Sequence, residues 1–175
     1  MKRLATQMTV KVVASPERLL DQCALALHVP VAAMHGRQRQ ILEDLHHSNV
    51  ALAGRTVLVV DDDIRNIFAL TSLLERYEMS IVSAETGRNA IELLERSRDI
   101  EIVLMDVMMP EMDGFETMRA IRQNERFRQL PIIAVTAKAM KGDRERCIEA
   151  GAWDYLAKPV DADELVGMLR AWLVR

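Results

Sequence analysis

Cysteine is scarce in this sequence. Cys23 and Cys147 are its only two cysteines, and they lie far apart in a chain of 175 residues. Neither belongs to a Cys-x-x-Cys pair or has a histidine at a metal-ligand spacing, so a cysteine-based metal site is not expected. A structural disulfide is not expected either, and the two thiols are typical of a reducing compartment.

Long apolar runs and an excess of basic residues are also missing. No stretch approaches the roughly 18 apolar residues of a membrane-spanning helix. Thr9, Lys11 and Ser15 interrupt any signal-peptide segment behind Met1. The formal net charge is −3, and the lysines and arginines are scattered, which argues against a basic surface for nucleic acid. These absences predict a cytoplasmic protein without a membrane or nucleic-acid partner.

From Gly54 onward, short runs typical of strands alternate five times with longer runs typical of helices. This alternation predicts an α/β domain with a parallel sheet and helices on both faces, and the 50% hydrophobic content allows it a core. The first predicted helix begins after Asp63, a suitable N-cap, and the other four cover 87–96, 113–123, 141–150 and 161–173. Helical spacing gives the first helix a stripe of Ile64, Ile67, Phe68, Thr71 and Leu74, and the fourth a thin stripe of Met140, Cys147 and Ile148.

Four of the predicted strands stop at a charged or hydroxyl residue. These strands cover 57–60, 102–105, 132–135 and 155–157. The residues that follow them are, in the same order, the pair Asp61 and Asp62, then Asp106, Thr136 and Lys158. Because open parallel sheets bind ligands outside the carboxyl ends of their strands, we expect these five side chains to form one site.

The three aspartates of this predicted site would repel one another. Each has an ordinary pKa near 3.9, and two charges about 4 Å apart repel by roughly 1 to 4 kcal/mol at effective dielectric constants of 80 to 20. Mg²⁺, which prefers oxygen ligands, would offset this repulsion and the charge of an incoming phosphoryl group. Asp106, nearest the centre of the sheet, is the expected nucleophile and would form an aspartyl phosphate. Lys158 and Thr136 would bind phosphoryl oxygens.

Three stretches carry a family resemblance. Residues 57–63 read Val-Leu-Val-Val-Asp-Asp-Asp, residues 104–114 read Leu-Met-Asp-Val-Met-Met-Pro-Glu-Met-Asp-Gly, and residues 157–159 read Ala-Lys-Pro. Through them, 54–175 resembles the receiver domain of two-component response regulators, and most of all the C-terminal receiver of a hybrid sensor histidine kinase. The resemblance implies a flavodoxin-like, doubly wound sheet of five parallel strands in the order 2-1-3-4-5.

The resemblance also implies a phosphorylation site and a donor. Asp106 would accept the phosphoryl group of a phosphohistidine on a sensor histidine kinase or a histidine phosphotransfer protein. Mg²⁺, or Mn²⁺ in its place, would be held by Asp62, Asp106 and the main-chain carbonyl of Met108, with Asp61 holding metal-bound water. Self-catalysed transfer and autodephosphorylation are the expected activities, without turnover of an external substrate. Lys158-Pro159 resembles the family's cis peptide.

A switch is implied as well. Thr136 and Tyr155 match the family's paired switch positions. On phosphorylation, the Thr136 hydroxyl would move to a phosphoryl oxygen and Tyr155 would turn inward, which reshapes the surface of the fourth helix, fifth strand and fifth helix. That surface would pass on the signal. Either it or the N-terminal helices could also join two copies into a homodimer.

The first 53 residues do not amount to a domain of their own. Residues 1–30 are interpreted as a partial strand-helix unit, because 9–14 resembles a strand and Ser15-Pro16 a helix start; the unit could be the remnant of an upstream receiver. Residues 31–53 are interpreted as a helical linker. Together they form a mostly helical extension of the receiver-like domain at 54–175, whether the chain is free-standing or part of a hybrid kinase.

Three alternatives compete with this interpretation. A phosphatase or phosphotransferase with an aspartate nucleophile commonly has a second aspartate two residues later, where this chain has Met108. A vestigial receiver that acts as a phosphorylation-independent interaction module would not need the complete set of site residues. An internal donor at His46 or His47 lacks the flanking pattern of a kinase histidine, and a histidine on a polar helix face is usually just solvated.

Overall fold

A computed structural model describes Cys23, Gly36 and residues 51–137 and 142–173. The chain divides into two units, Met1–Ser48 and Asn49–Arg175. Apart from Cys23, Gly36 and 51–53, the predicted strand-helix unit at 1–30 and the predicted linker at 31–53 lie outside the described residues. The described part of the second unit contains five strands and five helices.

Strands and helices alternate along this unit, as predicted. The strands are β1 (Thr56–Val60), β2 (Ser80–Ala84), β3 (Ile100–Asp106), β4 (Ile132–Thr136) and β5 (Asp154–Ala157). The helices are α1 (Ile64–Glu75), α2 (Gly87–Arg96), α3 (Gly114–Gln123), α4 (Asp143–Ala150) and α5 (Ala162–Leu173), and a 3₁₀ turn follows α3 at Glu125–Phe127. None of the helices in the described ranges is both long and apolar enough to cross a membrane.

The five strands form one parallel sheet in the order β2-β1-β3-β4-β5. This confirms the predicted fold and strand order. The chain adds β2 on one side of β1 and then β3 on the other, so the direction of winding reverses between β1 and β3. Ligands of such sheets bind at this reversal, outside the carboxyl ends of the strands. In this chain, Asp61 and Asp106 stand on its two sides.

Each face of the sheet buries its own apolar cluster, because successive side chains of a strand point to opposite faces. On one face, Leu58, Val103 and Ala134 pack with residues of α2, α3 and α4. On the other face, Val59 and Leu104 pack with residues of α1 and α5. Since both faces are covered, the central strands are continuous apolar runs, and the polar residues stand where the strands end.

Helix α1 departs from its predicted apolar stripe. Asp63 caps it as expected, since its carboxylate accepts a hydrogen bond from the Arg65 N–H at 2.9 Å. Ile67 and Leu74 are buried, but Ile64 is 61% exposed and Phe68 is 72% exposed. These two residues lie one turn apart on the helix, outside the stripe that contacts the sheet. The predicted stripe thus includes two residues, Ile64 and Phe68, that α1 does not bury.

Helix α4 begins two residues later than predicted and is anchored by little. It buries Cys147 and Ala150, whereas Ile148 of the predicted stripe is 41% exposed, and Met140 lies outside the described residues. Gly142 precedes the helix with a φ of 108°, a left-handed conformation that favours glycine.

Candidate functional site

The structure brings the five predicted site residues to one edge of the sheet. Asp61 and Asp62 follow β1, Asp106 ends β3, Thr136 ends β4 and Lys158 follows β5. Because all the strands are parallel, these positions share one side of the molecule. The clustering expected from the strand ends is therefore present.

Lys158 joins two of the three aspartates. Its ammonium donates one hydrogen bond to Asp61 Oδ2 and one to Asp106 Oδ2, each 2.7 Å long. Distances of this size are typical of charge-assisted hydrogen bonds. The Lys158 N–H donates to the Thr136 carbonyl at 2.7 Å, which fixes the start of the loop after β5 to the end of β4. The Lys158-Pro159 peptide is cis, as the resemblance implied.

Burial shapes the charges at the site. Asp61 and Asp106 are buried, whereas Asp62 is exposed. Burial raises the pKa of Asp106 above its usual value and outweighs the hydrogen bonds from Lys158 and the Met108 N–H, which lower it. Burial alone would lower the pKa of Lys158, but its hydrogen bonds to Asp106 and Asp61 outweigh that effect and raise it. The ammonium therefore stays charged at neutral pH between the two carboxylates.

The three aspartates fit a hard divalent cation. Asp61, Asp62 and Asp106 each offer a carboxylate oxygen, and these oxygens lie within 4.8 Å of one another. Oxygen donors of this kind suit Mg²⁺, which keeps several of its waters and takes one or two carboxylates. The exposed Asp62 leaves room for such waters. The main chain of Met108 also reaches the site, because its N–H donates to Asp106 Oδ1 at 3.1 Å.

The two expected switch residues lie on neighbouring strands. Thr136 is buried at the end of β4 and lines the same cleft as Asp62 and Met108. Tyr155 is half-buried in β5 and pairs with Ala134, two residues before Thr136. Because side chains alternate along a strand, Tyr155 and Thr136 share the face of the sheet that α4 covers.

One group of contacts, around Asp61, was not predicted from the sequence. Asp61 Oδ1 accepts hydrogen bonds from the Asp63 N–H at 2.9 Å and from Asn66 Nδ2 at 3.0 Å. With Lys158 on Oδ2, both oxygens of this buried carboxylate are occupied. The available signal was a polar residue in the first turn of α1, near the aspartate pair.

A family model for the response regulator receiver domain matches residues 57–170. The chain belongs to this receiver domain family. Receiver domains act in two-component signalling as phosphoacceptors and do not turn over a substrate in the manner of an ordinary enzyme. The expected resemblance is confirmed.

Two curated relatives show the range of proteins that carry such a receiver. The chain is 36% identical over 135 residues to signal transduction histidine-protein kinase BarA of Shigella flexneri. The aligned residues cover 77% of this chain and 14% of BarA. It is 41% identical over 119 residues to transcriptional regulatory protein CpxR of Escherichia coli strain K12. Here the aligned residues cover 68% of this chain and 49% of CpxR. The match thus spans about a seventh of one relative and half of the other.

Solved structures include similar receivers. The receiver domain of sensor histidine kinase PA1611 from Pseudomonas aeruginosa, with a magnesium ion coordinated in its active-site cleft, matches with a TM-score of 0.65 and 38% identity over 70% of this chain and 100% of that chain. The co-crystal structure of the Saccharomyces cerevisiae phosphotransfer protein Ypd1 with the receiver domain of Ssk1 matches with a TM-score of 0.65 and 26% identity, over 70% and 91% of the two chains.

Proposed function

We propose that this receiver domain takes a phosphoryl group from a phosphohistidine onto Asp106 and changes its surface in response. The observation that carries the proposal is the pairing of the Lys158 ammonium with Asp106 at 2.7 Å inside a cluster of three carboxylates. A strand-end carboxylate with a fixed cation and a place for Mg²⁺ has the parts that phosphoryl transfer requires.

The transfer needs few groups from the protein. An Asp106 oxygen forms a bond to phosphorus while the bond from phosphorus to the donor imidazole nitrogen breaks, and the electron pair of that bond leaves with the imidazole. Lys158 binds a phosphoryl oxygen and so keeps its charge beside the transferred group. Thr136, in the same cleft, offers its hydroxyl to another oxygen.

Asp62, Asp106 and the Met108 carbonyl would hold Mg²⁺, with Asp61 holding its water. The chemistry that a bound Mg²⁺ supplies is neutralisation of the charge on the phosphoryl oxygens. Mn²⁺, which also prefers oxygen ligands, would serve in its place. The fit rests on the three carboxylate oxygens, which lie close together and have only the Lys158 ammonium as a bonded cation among the described side chains.

The donor would be a sensor histidine kinase or a histidine phosphotransfer protein. A donor histidine has to approach Asp106 from the edge of the sheet where the strands end, and exposed apolar side chains occur on the elements that start there. They are Met108 after β3, Ile64 at the start of α1 and Phe68 one turn further along α1. Exposed apolar side chains next to a reactive group are typical of a protein contact. The Ypd1 and Ssk1 pair is an example of a receiver bound to a phosphotransfer protein.

The response would pass through Thr136 and Tyr155 to α4, β5 and α5, which we name the switch surface. Phosphorylation draws the Thr136 hydroxyl toward the phosphoryl group, and Tyr155 turns inward into the space on the shared face. Helix α4 is suited to move because few of its side chains pack against the core: of its eight residues, Cys147 and Ala150 are buried. Two copies of the protein would form a homodimer through the switch surface or through the N-terminal helices. The protein would act in the cytoplasm.

The proposed function also includes the bounds of the receiver domain and its self-catalysed reactions. Residues 54–175 would form the receiver, preceded by the strand-helix unit at 1–30 and the linker at 31–53. Transfer and the later loss of phosphate would be catalysed by the receiver itself.

One experiment separates this function from its rivals. Acetyl phosphate is offered with and without Mg²⁺ to the wild type and to Asp106→Asn, and the intact proteins are weighed by mass spectrometry. We expect one added phosphoryl group in the wild type with Mg²⁺ and none in the variant. Equal uptake by both proteins would overturn Asp106 as acceptor, and no uptake by either would favour the vestigial interaction module.

A further inference from the structure

We propose that Asn66 is a positioning residue that sets the Mg²⁺ affinity of the receiver by holding the carboxylate of Asp61 in one orientation. The inference rests on the proposed function, because it concerns the same site. It assigns a role to a side chain outside the acidic cluster and outside the phosphoryl-binding residues. Asn66 touches neither the phosphoryl group nor the cation in this account and acts through Asp61.

The contacts of Asp61 carry the argument. Asp61 is 1% exposed, so each of its oxygens needs a hydrogen-bond donor within the protein. Oδ1 receives two donors, the Asp63 N–H and Asn66 Nδ2, and Oδ2 receives the Lys158 ammonium. Rotation of the carboxylate would break these bonds inside the protein, where an unsatisfied polar group is costly. The plane of the carboxylate is thereby fixed, with Oδ2 toward Lys158 and Asp106.

The backbone places Asn66 for this task. Asp63 caps α1, and the Asn66 N–H donates to the Asp63 carbonyl at 2.9 Å, so Asn66 is the third residue of the helix. Helical side chains lean toward the helix N-terminus, which directs the Asn66 amide at the end of β1. Asparagine is not a strong helix former, and its position is not explained by helix propensity.

The neutrality of the amide matters. A lysine or arginine at position 66 would add a cation that competes with Mg²⁺, and an aspartate would add a fourth carboxylate. An amide donates to Oδ1 without changing the charge of the cluster. Partners that orient metal-binding groups in this way typically change metal affinity about tenfold or more when they are removed.

Asn89 provides a matched control. It is also the third residue of a helix, α2, but its side chain is exposed and is not among the hydrogen-bond donors to Asp61 in the described part of the chain. Asn66→Leu and Asn89→Leu therefore make the same chemical change at the same helical position. Asn66→Ala is a second variant, in case the leucine disturbs packing. Circular dichroism establishes that each variant is folded.

The test measures Mg²⁺ binding to the unphosphorylated proteins by isothermal titration calorimetry. We expect a Kd about tenfold higher in Asn66→Leu and Asn66→Ala and an unchanged Kd in Asn89→Leu. Uptake of phosphate from acetyl phosphate should be slow in the Asn66 variants at limiting Mg²⁺ and return to the wild-type rate at saturating Mg²⁺. A capping role alone would lower stability without this dependence on Mg²⁺.

Wild-type Mg²⁺ affinity in both folded Asn66 variants, or an equal loss in Asn89→Leu, would overturn the inference. The two readouts separate it from the proposed function. If the Asn66 variants bind Mg²⁺ weakly and no protein takes up phosphate, the positioning role stands and the phosphoacceptor function fails. If the wild type takes up phosphate and Asn66 has no effect on Mg²⁺ binding, the reverse holds.

Discussion

A Cβ atom placed on Gly114 would lie 2.2 Å from the main-chain carbonyl oxygen of Asp106. Helix α3 therefore begins in contact with the backbone of Asp106, the proposed nucleophile, and the Gly114 N–H donates to the Val107 carbonyl at 3.1 Å. The neighbouring atom is backbone, which cannot yield as the end of a flexible side chain can. Glycine is required here by space, and the position of Asp106 depends on it.

Gly114→Ala should destabilise the protein by about 1 to 3 kcal/mol, the usual cost of forcing an extra carbon into a packed site. Urea unfolding measures the change. Gly167→Ala is the control, because a Cβ on Gly167 in α5 meets nothing within 4 Å. It should stabilise the protein by about 0.5 to 1 kcal/mol, since glycine disfavours helix interiors. Two variants of equal stability would contradict this account of the contact.

Lys158→Met should destabilise the metal-free protein by about 1 to 3 kcal/mol, because it leaves two buried carboxylates without their shared cation. Lys158 is itself 22% exposed, so the full cost of a buried pair does not apply. Mg²⁺ should stabilise this variant more than the wild type, since it replaces the missing charge. Thermal unfolding with and without Mg²⁺ tests both points, with the exposed Arg88→Met as control. An identical response to Mg²⁺ in all three proteins would contradict the role given to Lys158.

Asp106→Asn should be more stable than the wild type at neutral pH in metal-free buffer. Burial raises the pKa of Asp106 above its usual 3.8, so the folded state holds this proton to a higher pH than the unfolded state does. As pH rises from 3.8 to the raised pKa of the folded state, the unfolded state binds fewer protons than the folded state, and the wild type loses stability relative to the variant. Urea unfolding of both proteins across this pH range measures the difference. A wild type that gains stability over the variant as pH rises would contradict the raised pKa.

Thr136→Ala should accept phosphate but fail to move the switch surface. The chain has two tryptophans, Trp153 just before β5 and Trp172 in α5. Their rings pack edge to face with centroids 5.1 Å apart. Their fluorescence therefore reports on the switch surface. We expect acetyl phosphate with Mg²⁺ to change it in the wild type and in Thr136→Ser, and by less than half as much in Thr136→Ala at equal phosphorylation. A full change in Thr136→Ala would remove Thr136 from the switch.

Met108→Asn should shorten the lifetime of the aspartyl phosphate. The Met108 side chain is 63% exposed beside the site and offers no amide to align an attacking water. An amide there should speed hydrolysis roughly three- to tenfold, which corresponds to about 1 kcal/mol of activation free energy. Loss of phosphate is followed by intact mass after acetyl phosphate is removed, with Met108→Leu as the apolar control. Equal rates in Met108→Asn and Met108→Leu would show that this side chain does not control hydrolysis.

The fold and the cluster of site residues could be predicted because both depend on local patterns. Apolar runs that end in Asp106, Thr136 and Lys158 reveal both the strands and the edge at which they end. Two contacts with the main chain or side chains of the site could not be predicted in this way. Gly114 meets the Asp106 backbone and Asn66 meets Asp61 only after α3 and α1 have packed on the sheet.

The exposure of Ile64 and Phe68 on α1 could not be predicted for a related reason. Helical spacing shows that Ile64 and Phe68 share a side of the helix with some apolar neighbours, but it does not show how the helix rotates onto the sheet. The β3–α3 loop is a further case. Glu111 has a φ of 62°, and the Met112 N–H bonds to the Pro110 carbonyl at 2.8 Å across it. Glutamate carries no signal for such a turn.

The most direct test of the central claim is to identify the phosphorylated residue. The protein is phosphorylated with acetyl phosphate and Mg²⁺ and reduced with sodium borohydride, which converts an aspartyl phosphate to homoserine, and its peptides are sequenced by mass spectrometry. We predict homoserine in place of Asp106 alone, with Asp61 and Asp62 unchanged. Homoserine at Asp61 or Asp62, or none in a protein that has gained a phosphoryl group, would contradict the assignment of Asp106 as the nucleophile.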